Sequence, residues 1–413
     1  MRQKLLESFR FALEATHPYH LTRQALPQTP PTHVLALGKA AFPMLKAVSD
    51  AYGRVPGLGV TRYGHLEPGV HLPGIELLEA GHPVPDEQSL LAGERVLEFV
   101  GRLHPSDHLL VLISGGGSAL VSAPWGVSSE EKQALSRALL ASGADIREVN
   151  AVRKHLSRLK GGRLAAATRA RVSSLLLSDV PGDDPSVIAS GPTVPDPSTF
   201  AQALEVLERY GIESPARGHL ERGARGELPE TPKPGDPLFA RVENRLIGAA
   251  RHLLAAARAY WEGQGYPVLT LCDRFVGEAR ELARFHAAMV QSIREAGQPV
   301  APPVVLLSGG EAGVTVRGLG KGGRNQEFLL WLAYCLDEGG VWAMACDSDG
   351  IDGNTEAAGA VIHPELLHGS RRLEAKERLA NNDAYGFFKA HGGLVISGPT
   401  QNNLNDYRVI VVE

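Results

Sequence analysis

Short apolar runs that stop abruptly at a loop residue most restrict how this 413-residue chain can fold. In the first half, three such runs lie at residues 33–37, 108–113 and 173–177. Each is too short for a stable helix and has the composition of a buried strand. Segments of helical periodicity separate the runs, at residues 40–52, 87–103 and 129–142. This alternation of strand and helix predicts an α/β fold built on a parallel sheet.

The second half shows a similar alternation. Helices are predicted at 249–263, 278–296 and 326–336, and strands at 267–271, 304–307, 314–317 and 341–345. Residues 210–236 between the halves are charged, contain glycine and proline, and show little apolar periodicity, as a surface linker or hinge does. A chain of this length is expected to form two or three domains. We therefore predict two, 1–235 and 236–413.

Charge and cysteine content exclude several classes of protein. The chain has 42 basic and 46 acidic residues, a net charge of −4, so it carries no general positive field for nucleic acid or an anionic membrane. Three cysteines occur without any CxxC pair, which supports neither a disulfide framework nor a structural zinc site. A small-molecule partner is therefore expected.

The amino terminus resembles a targeting segment only superficially. Glu7, Arg10 and Glu14 interrupt its apolar run, so residues 1–15 are predicted to form a first helix rather than a signal peptide. No stretch is long and apolar enough to span a membrane. We expect a cytoplasmic protein without a membrane partner.

A run of glycines follows the strand at 108–113. Ser114, Gly115, Gly116, Gly117 and Ser118 stand between this strand and a predicted helix start. Glycines at the carboxyl end of a parallel strand let backbone N–H groups approach an anion, and a helix start would add its dipole. We predict that these five residues bind a phosphate or carboxylate.

Further glycine segments occur in the second half. Residues 308–311 (SGGE) are predicted to form a turn after a strand, and residues 318–325 (GLGKGGRN) match GxGxxG before a helix. The latter carries Lys321 and Arg324, cations that suit polyphosphate better than a dinucleotide. Neither a Walker A motif nor a protein-kinase HRD string is present. Lys39 also follows a strand, at a helix start where a cation is unfavourable unless an anion lies beside it.

Acidic residues concentrate in two loops that follow strands, 178–184 and 347–353. Carboxylates at strand ends commonly supply one or two ligands to a Mg²⁺ ion that otherwise holds water and phosphate. Asp179, Asp183 and Asp349 are the candidates, whereas the spacing around Ile351 does not fit an EF-hand. Asn150 and Arg153 lie in a basic segment that is either a solvated helix face or a site for a substrate carboxylate.

These strings resemble a known family, the glycerate 2-kinases. The first half resembles the family's amino-terminal domain in LGKAA (37–41), GHPVPDEQS (81–89), LISGGGSAL (112–120), NAVRKHLSRLKGGRLA (150–165) and SDVPGDDPSVIASGPTVPD (178–196). The second half resembles its carboxy-terminal MOFRL domain in LLSGGEAGVTVRGLGKGGRNQEF (306–328), DSDGIDGNTEAAGAVI (347–362) and SGPTQNNLNDYRVIV (397–411). The matches run in order along nearly the whole chain.

The resemblance implies transfer of the γ-phosphoryl group of ATP to the C2 hydroxyl of D-glycerate, giving 2-phosphoglycerate and ADP, with Mg²⁺ or another divalent cation. It implies a larger Rossmann-like three-layer α/β/α domain, a smaller α/β MOFRL domain, an active site in the cleft between them, and a monomer or homodimer. The alternative function, which also appears as a label in this family, is an NAD(P)H-dependent hydroxypyruvate reductase. A non-catalytic sugar-acid or nucleotide sensor is a third interpretation.

The resemblance also marks a lysine and an arginine as critical, which correspond to Lys39 and Arg324. The remaining assignments come from chemistry. We expect Asp179 to orient or deprotonate the substrate hydroxyl, and Asp183 and Asp349 to bind the metal. Substrate or phosphate binding is assigned to Ser114, Gly115, Gly116, Gly117, Ser118, Arg153, Glu311, Lys321 and Asn325.

Overall fold

A computed structural model describes residues 1–66, 69–336 and 340–413, which divide into two compact units. The parallel-sheet unit comprises residues 18–178 and 183–247. The mixed-sheet unit comprises residues 1–17, 179–182 and 248–413. Two units were predicted, but the division differs from a single boundary at 235/236, because residues 1–17 and 179–182 pack with the carboxy-terminal half.

In the parallel-sheet unit, the described residues form six strands: β1 (His33–Leu37), β2 (Gly57–Arg62), β3 (Ile75–Ala80), β4 (His108–Ile113), β5 (Arg171–Leu177) and β6 (Val242–Gly248). They lie side by side in the order β3-β2-β1-β4-β5-β6. The pairs from β3 to β5 are all parallel, as the sequence predicts. The order reverses between β1 and β4, and open α/β sheets bind ligands outside the carboxyl ends of the strands at such a switch point.

Helices connect these strands. The unit contains α2 (Pro18–Ala25), α3 (Ala41–Tyr52), α4 (Glu87–Gly101), α5 (Gly117–Leu120), α6 (Ser129–Ala141), α7 (Ile146–His155), α8 (Arg163–Ala166), α9 (Phe200–Arg209) and α10 (Ala216–Ala224), with 3₁₀ turns at Ile188–Ser190 and Pro237–Arg241. The predicted helices at 40–52, 87–103 and 129–142 correspond to α3, α4 and α6. Side-chain capping boxes at Asp86 and Ser128 fix the starts of α4 and α6.

The predicted linker at 210–236 is wrong. It contains α10, whose His219, Leu220 and Gly223 are buried against a core that includes Leu207 and Phe200 of α9. A Cβ on Gly223 would lie only 2.2 Å from the Phe200 ring, so this helix packs closely. Its few apolar residues lie on one short face, and the many charged residues around them hide that periodicity in the sequence.

In the mixed-sheet unit, six strands are likewise formed by the described residues: β7 (Val268–Glu278), β8 (Val304–Gly313), β9 (Trp342–Asp347), β10 (Gly359–Ile362), β11 (Leu394–Val395) and β12 (Asp406–Val412). The order is β11-β10-β9-β12-β8-β7. Only β7 and β8 are parallel among these neighbours, and the other pairs are antiparallel. Its helices are α1 (Arg2–Ala15), α11 (Ala250–Gly263), α12 (Ala279–Ala296), α13 (Arg324–Cys335), α14 (Arg371–Ala380) and α15 (Ala384–His391).

The amino-terminal helix α1 is an integral part of the mixed-sheet unit. Leu5, Phe9 and Ala12 form its buried face, and the Phe9 ring centroid lies 5.3 Å from that of Tyr407 on β12. The Ser8 hydroxyl also hydrogen-bonds the buried Tyr407 hydroxyl. The predicted first helix is confirmed. Among the described helices, none is long and apolar enough to cross a bilayer.

Two local predictions in this unit are wrong. Residues 308–311 do not form a turn, because β8 continues through them to Gly313 and pairs with β7 past an irregular register. Gly310 adopts φ +101° there, and a Cβ at this position would lie 2.3 Å from the backbone nitrogen of Phe275. Residues 314–317 form no strand. They lead from β8 into the glycine segment before α13.

Candidate active site

The switch point of the parallel sheet joins the ends of β1 and β4. The Ser114 hydroxyl is buried and accepts a hydrogen bond from the backbone N–H of Ala40 at 3.0 Å. In return, the backbone N–H of Lys39 donates to the carbonyl of Gly115 at 2.9 Å. Ser114 therefore holds the two loops together, and its hydroxyl is already used by the protein.

Two glycines are required by this close approach. Gly38 has φ +128°, and a Cβ there would lie 2.3 Å from the Ser114 hydroxyl oxygen. Gly116 has φ +84°, and its Cβ would lie 3.1 Å from the His82 ring and 3.2 Å from Cγ of Lys39. Because Gly38 and Gly116 have no side chains, the side chain of Lys39 can pass beside the glycine loop.

The backbone of the glycine loop carries a row of available donors. Within the described residues, the N–H groups of Gly115, Gly116, Gly117 and Ser118 donate to no protein group. Consecutive unpaired N–H groups around a left-handed glycine form a concave anion site. The expected helix dipole contributes little, because α5 has only four residues. The predicted anion-binding role therefore depends on the loop amides and on Lys39.

The predicted residue Arg153 lies on α7 of the same unit and is half-buried. The segment around it is not a solvated helix face, because Asn150 and Lys160 are only 4% and 6% exposed. Lys160 donates from Nζ to the Ser118 carbonyl at 2.8 Å. This basic segment therefore borders the glycine loop.

The mixed-sheet unit holds Arg324 at the start of α13. Its Nε donates to Asp406 at 2.8 Å, one terminal nitrogen donates to Asp347 at 2.8 Å, and the other to Glu311 at 3.3 Å. Burial opposes the charge of Arg324, but the carboxylates of Asp406, Asp347 and Glu311 outweigh it and raise the pKa above its usual value. Three partners fix the guanidinium in one orientation.

The strands explain why these acids meet. Asp347 ends β9 and Asp406 begins β12, and the two residues face each other in the antiparallel register. Burial and then the neighbouring Asp349 raise the pKa of Asp347 well above its usual value. Asp352 does not contact Arg324 through a hydrogen bond among those described. Its buried carboxylate accepts hydrogen bonds from the backbone N–H groups of Asn325 and Gln326 at the start of α13. It caps a helix whose preceding residue, Gly323, has no side chain to do so.

The GLGKGGRN segment (318–325) is held by hydrogen bonds to residues far away in the chain. Its N–H groups are used by the protein: those of Gly318 and Leu319 donate to the side chains of Asn382 and Asn381, and that of Gly322 donates to Asn354. The N–H of Lys321 donates to Asp383, and the Lys321 side chain is exposed near the Tyr385 ring. Asn325 is fully buried and donates to Asp406 at 2.7 Å. These backbone N–H groups already have protein partners and make the segment a hydrogen-bonded wall. Phosphate binding by Lys321 and Asn325 stays a prediction.

This wall lines a cavity of about 400 Å³ in the mixed-sheet unit. Its lining combines the apolar residues Ala312, Val314 and Val316 with Arg324, Glu327, Asn354, Asn382 and the glycines of residues 313, 320, 322, 323 and 353. Glu327 is 6% exposed, and its Oε1 accepts from Trp331 at 3.3 Å and from Asn382 at 3.4 Å. Burial raises the pKa of Glu327 to about 7. A cavity with apolar walls and a few polar groups is typical of a small-molecule site.

We expect Glu327→Gln to change how stability depends on pH. The native carboxyl holds its proton up to about pH 7 against an ordinary value of 4.5, so the native state binds more protons between these values. Wild-type stability therefore falls as pH rises through this window, by about 3 kcal/mol from this group. Glutamine removes that loss, so the stability gain of the variant should grow from about zero at pH 4 to about 3 kcal/mol at pH 8.

Urea unfolding from pH 4 to pH 8 measures this difference. Glu365→Gln, at an exposed position of the same unit, is the matched control and should leave the profile unchanged. Equal pH profiles for wild type and Glu327→Gln would contradict the assignment.

The predicted acids of the 178–184 loop fall in different units. Asp179 belongs to the mixed-sheet unit and accepts from Nδ2 of Asn403 at 3.1 Å, whereas Asp183 belongs to the parallel-sheet unit. Asp349 lies in the mixed-sheet unit, where one of its oxygens accepts from the N–H of Ile351. Among the described residues, no group of three or more His, Cys, Asp or Glu side chains is arranged to hold a metal ion. Metal binding by Asp183 and Asp349 stays a prediction.

Both halves of the chain match known protein families. Residues 4–222 match a domain of unknown function, DUF4147, and residues 304–406 match the MOFRL family. A protein of Agrobacterium vitis named "Putative hydroxypyruvate reductase" is 46% identical over 100% of this chain and 94% of its own length. The "D-glycerate 2-kinase" of Thermotoga maritima is 41% identical over 98% of this chain and 97% of its own length.

The fold has a close counterpart among solved structures. The crystal structure of a glycerate kinase from Thermotoga maritima superposes with a TM-score of 0.89 at 39% identity, covering 100% of this chain and 99% of that one. A two-domain α/β architecture with DUF4147 and MOFRL parts defines this class of protein. The chain belongs to the glycerate 2-kinase family.

Several residues of the site were missed by the sequence analysis. Asp406 and Asp347 hold Arg324, and Glu327 lines the cavity. The sequence does contain a signal for Asp406. It is an acid that begins a strongly apolar strand, and Arg408 follows two residues later on the same face, so the two charged residues could be recognised as a pair. For Lys132 the sequence predicts only a place in the helix at 129–142, although its side chain is just 8% exposed.

Proposed function

We propose that this chain transfers the γ-phosphoryl group of ATP to the C2 hydroxyl of D-glycerate, giving 2-phosphoglycerate and ADP. The observation that carries the proposal is the row of unpartnered loop N–H groups at the β1/β4 switch point, beside Lys39. Phosphoryl transfer requires positioned donors and cations around phosphate oxygens and little covalent chemistry from the protein. The activity named for the Thermotoga maritima relative supports the same reaction.

Each unit, described by itself, carries groups suited to one part of this chemistry. In the parallel-sheet unit, the amides of Gly115, Gly116 and Gly117 bind phosphate oxygens, and Lys39 adds a positive charge. In the mixed-sheet unit, Arg324 stabilises the charge that develops on the transferring group, because three carboxylates hold its guanidinium in place. We assign the cavity of this unit to the nucleotide, with its apolar wall against the base.

A divalent cation fits the acids beside Arg324. Asp347 and Asp349 are both buried, and burial and then the charge of Asp349 raise the pKa of the Asp347 carboxyl. A Mg²⁺ ion bound by these two carboxylates would relieve that repulsion and neutralise charge on the phosphates of ATP. The proposed metal ligands therefore include Asp349, as the sequence predicts, together with Asp347.

The two acids of the 178–184 loop keep their predicted roles. Asp179 remains our candidate for orienting the acceptor hydroxyl, and Asp183 remains a further candidate for binding the metal.

A paired assay tests the reaction class. Purified protein with D-glycerate, ATP and Mg²⁺ should release ADP, and hydroxypyruvate with NADH or NADPH should give no change in absorbance at 340 nm. Oxidation of either nicotinamide without ADP release would overturn the proposal in favour of the reductase named for the Agrobacterium vitis relative. Cytoplasmic location and a monomer or homodimer remain predictions.

A further inference from the structure

A cluster of basic and amide side chains lies in the parallel-sheet unit, beyond the glycine loop. We call it the cation cluster: Lys132 on α6, Asn150 and Arg153 on α7, and Lys160 in the segment that follows α7. Lys132 is 8% exposed, Asn150 is 4% exposed and Lys160 is 6% exposed. Charged side chains this deeply buried are rare unless they are paired.

The cation cluster has no counter-charge of its own. In the parts of the chain that the structure describes, no carboxylate pairs with Lys132, Arg153 or Lys160. The nearby Lys154 shows the usual arrangement, because its Nζ lies 3.2 Å from the buried Asp196. Lys132 Nζ and Asn150 Nδ2 are both buried without any hydrogen-bond partner among the described residues.

The positive charges act on one another. Burial and then the charge of Arg153 lower the pKa of Lys132 to about 8. Burial also lowers the pKa of Lys160 well below its usual value, and the charges of Lys132 and Arg153 lower it further. The three cations are therefore close enough to repel one another, and an anion among them would relieve this repulsion.

The cation cluster adjoins the candidate active site. Lys160 donates to the carbonyl of Ser118, the last residue of the glycine loop. The Ser118 hydroxyl lies 2.6 Å from that of Ser190, which in turn donates to Oδ1 of Asn150 at 3.4 Å. Ala189 and Ser190 both adopt positive φ, at +49° and +61°, and such strained non-glycine backbone clusters at functional sites.

We propose that Lys132, Asn150, Arg153 and Lys160 form a binding site for one small oxyanion, the carboxylate of the acceptor substrate. The choice of a carboxylate rests on the proposed function, because the loop amides already account for a phosphate and D-glycerate carries one carboxylate. An unpartnered ammonium, an unpartnered amide N–H and a guanidinium offer the convergent donors that such an anion requires. Inorganic phosphate shares this chemistry and is the other possible source.

The experiment measures anion binding without nucleotide. Calorimetry and thermal unfolding are carried out with D-glycerate, inorganic phosphate and uncharged glycerol on wild type, Lys132→Met and Asn150→Asp. Lys132→Met removes one donor, and Asn150→Asp places a carboxylate inside the cation cluster while keeping an acceptor for Ser190. Lys46→Met, on the exposed side of α3, is the matched control for loss of a lysine.

Wild type and Lys46→Met should bind D-glycerate but not glycerol. Both cluster variants should lose affinity for D-glycerate by at least about 10-fold, since each removes a charge-assisted interaction or blocks it. The melting temperature of ligand-free Asn150→Asp should rise, because its new carboxylate neutralises buried cations. In turnover assays, KM for D-glycerate should rise while KM for ATP stays unchanged.

Unchanged affinity for D-glycerate in both variants would overturn the proposal. Loss of phosphate binding with D-glycerate binding intact would overturn the carboxylate assignment and identify a phosphate site. If Lys132→Met does not fold, two other variants replace it. Lys132→Arg keeps the charge and should keep its affinity for D-glycerate, whereas Asn150→Asp should lose that affinity. Binding that follows these expectations in a protein without phosphotransferase activity would leave the site standing and contradict only the proposed function.

Discussion

Replacing Arg324 by alanine should lower kcat by at least about 10³-fold, the effect expected when a guanidinium that stabilises a phosphoryl-transfer transition state is removed. The reason is positional as well as electrostatic. Asp406, Asp347 and Glu311 hold three nitrogens of this side chain, so the group is oriented before substrate binds. Steady-state ADP release at saturating ATP and D-glycerate measures the change.

The same change should also affect stability, because Asp406 and Asp347 lose their counter-charge in a buried place. A loss of about 3 kcal/mol is expected from breaking such an arrangement. Arg324→Lys separates the two effects. It keeps the charge but cannot donate to three carboxylates at once, so it should fold better than the alanine variant and still lose about 10²-fold in kcat.

Arg371→Ala, at an exposed position of α14 in the same unit, is the control for loss of an arginine. It should retain wild-type turnover and melting temperature. A folded Arg324→Lys variant with near-normal kcat would remove Arg324 from the mechanism and leave it a purely structural role.

Lys39→Ala should reduce kcat by about 10²-fold or more in a protein that still folds. The protein uses the backbone N–H and carbonyl of Lys39 to hold the switch-point loops, and alanine preserves both. What is lost is the ammonium of a side chain whose Cγ passes beside Gly116, in the loop where the phosphate binds in our proposal. Turnover and thermal unfolding, measured on the same preparation, check both parts of this expectation.

Lys46→Ala is the control, because it removes an exposed lysine of α3 that pairs with Asp50. It should leave turnover unchanged. A Lys39→Ala variant that unfolds at a clearly lower temperature would show that this side chain stabilises the loops. A stable Lys39→Ala variant with wild-type kcat would contradict its catalytic role.

Much of the fold could be predicted from local sequence. The predicted strands at 33–37 and 108–113 coincide with β1 and β4, because a short apolar run bounded by a loop residue specifies a central parallel strand without distant information. The glycine loop after β4 was predicted for the same reason. Three successive glycines at a strand end are a local signal, and the structure places unpartnered N–H groups there.

The features that local sequence did not reveal depend on partners far away in the chain. The GLGKGGRN segment has the glycines of a phosphate loop, but Asn381, Asn382 and Asn354 occupy its amides from positions that its own sequence does not reveal. The prediction of a linker at 210–236 is wrong because α10 is stabilised by packing on Phe200 of α9. Local composition cannot report either contact.

The candidate site also combines residues that local sequence identifies with residues that only the folded chain brings together. Lys39 and Arg324 were identified because their motifs resemble those of a family, whereas the acids that orient Arg324 come from two strands that only the sheet brings together. The cation cluster was partly visible as a basic segment. Its importance follows from burial, which converts ordinary surface charges into groups that require an anion.

The identity of the product tests the central claim most directly. Protein incubated with ATP, Mg²⁺ and D-glycerate should yield one new phosphate monoester in ³¹P NMR, whose coupling to the single C2 proton identifies 2-phosphoglycerate. The same mixture without protein provides the blank. Coupling to the two C3 protons would show transfer to the other hydroxyl and contradict the C2 assignment. No phosphoester above the blank would contradict phosphotransfer to D-glycerate altogether.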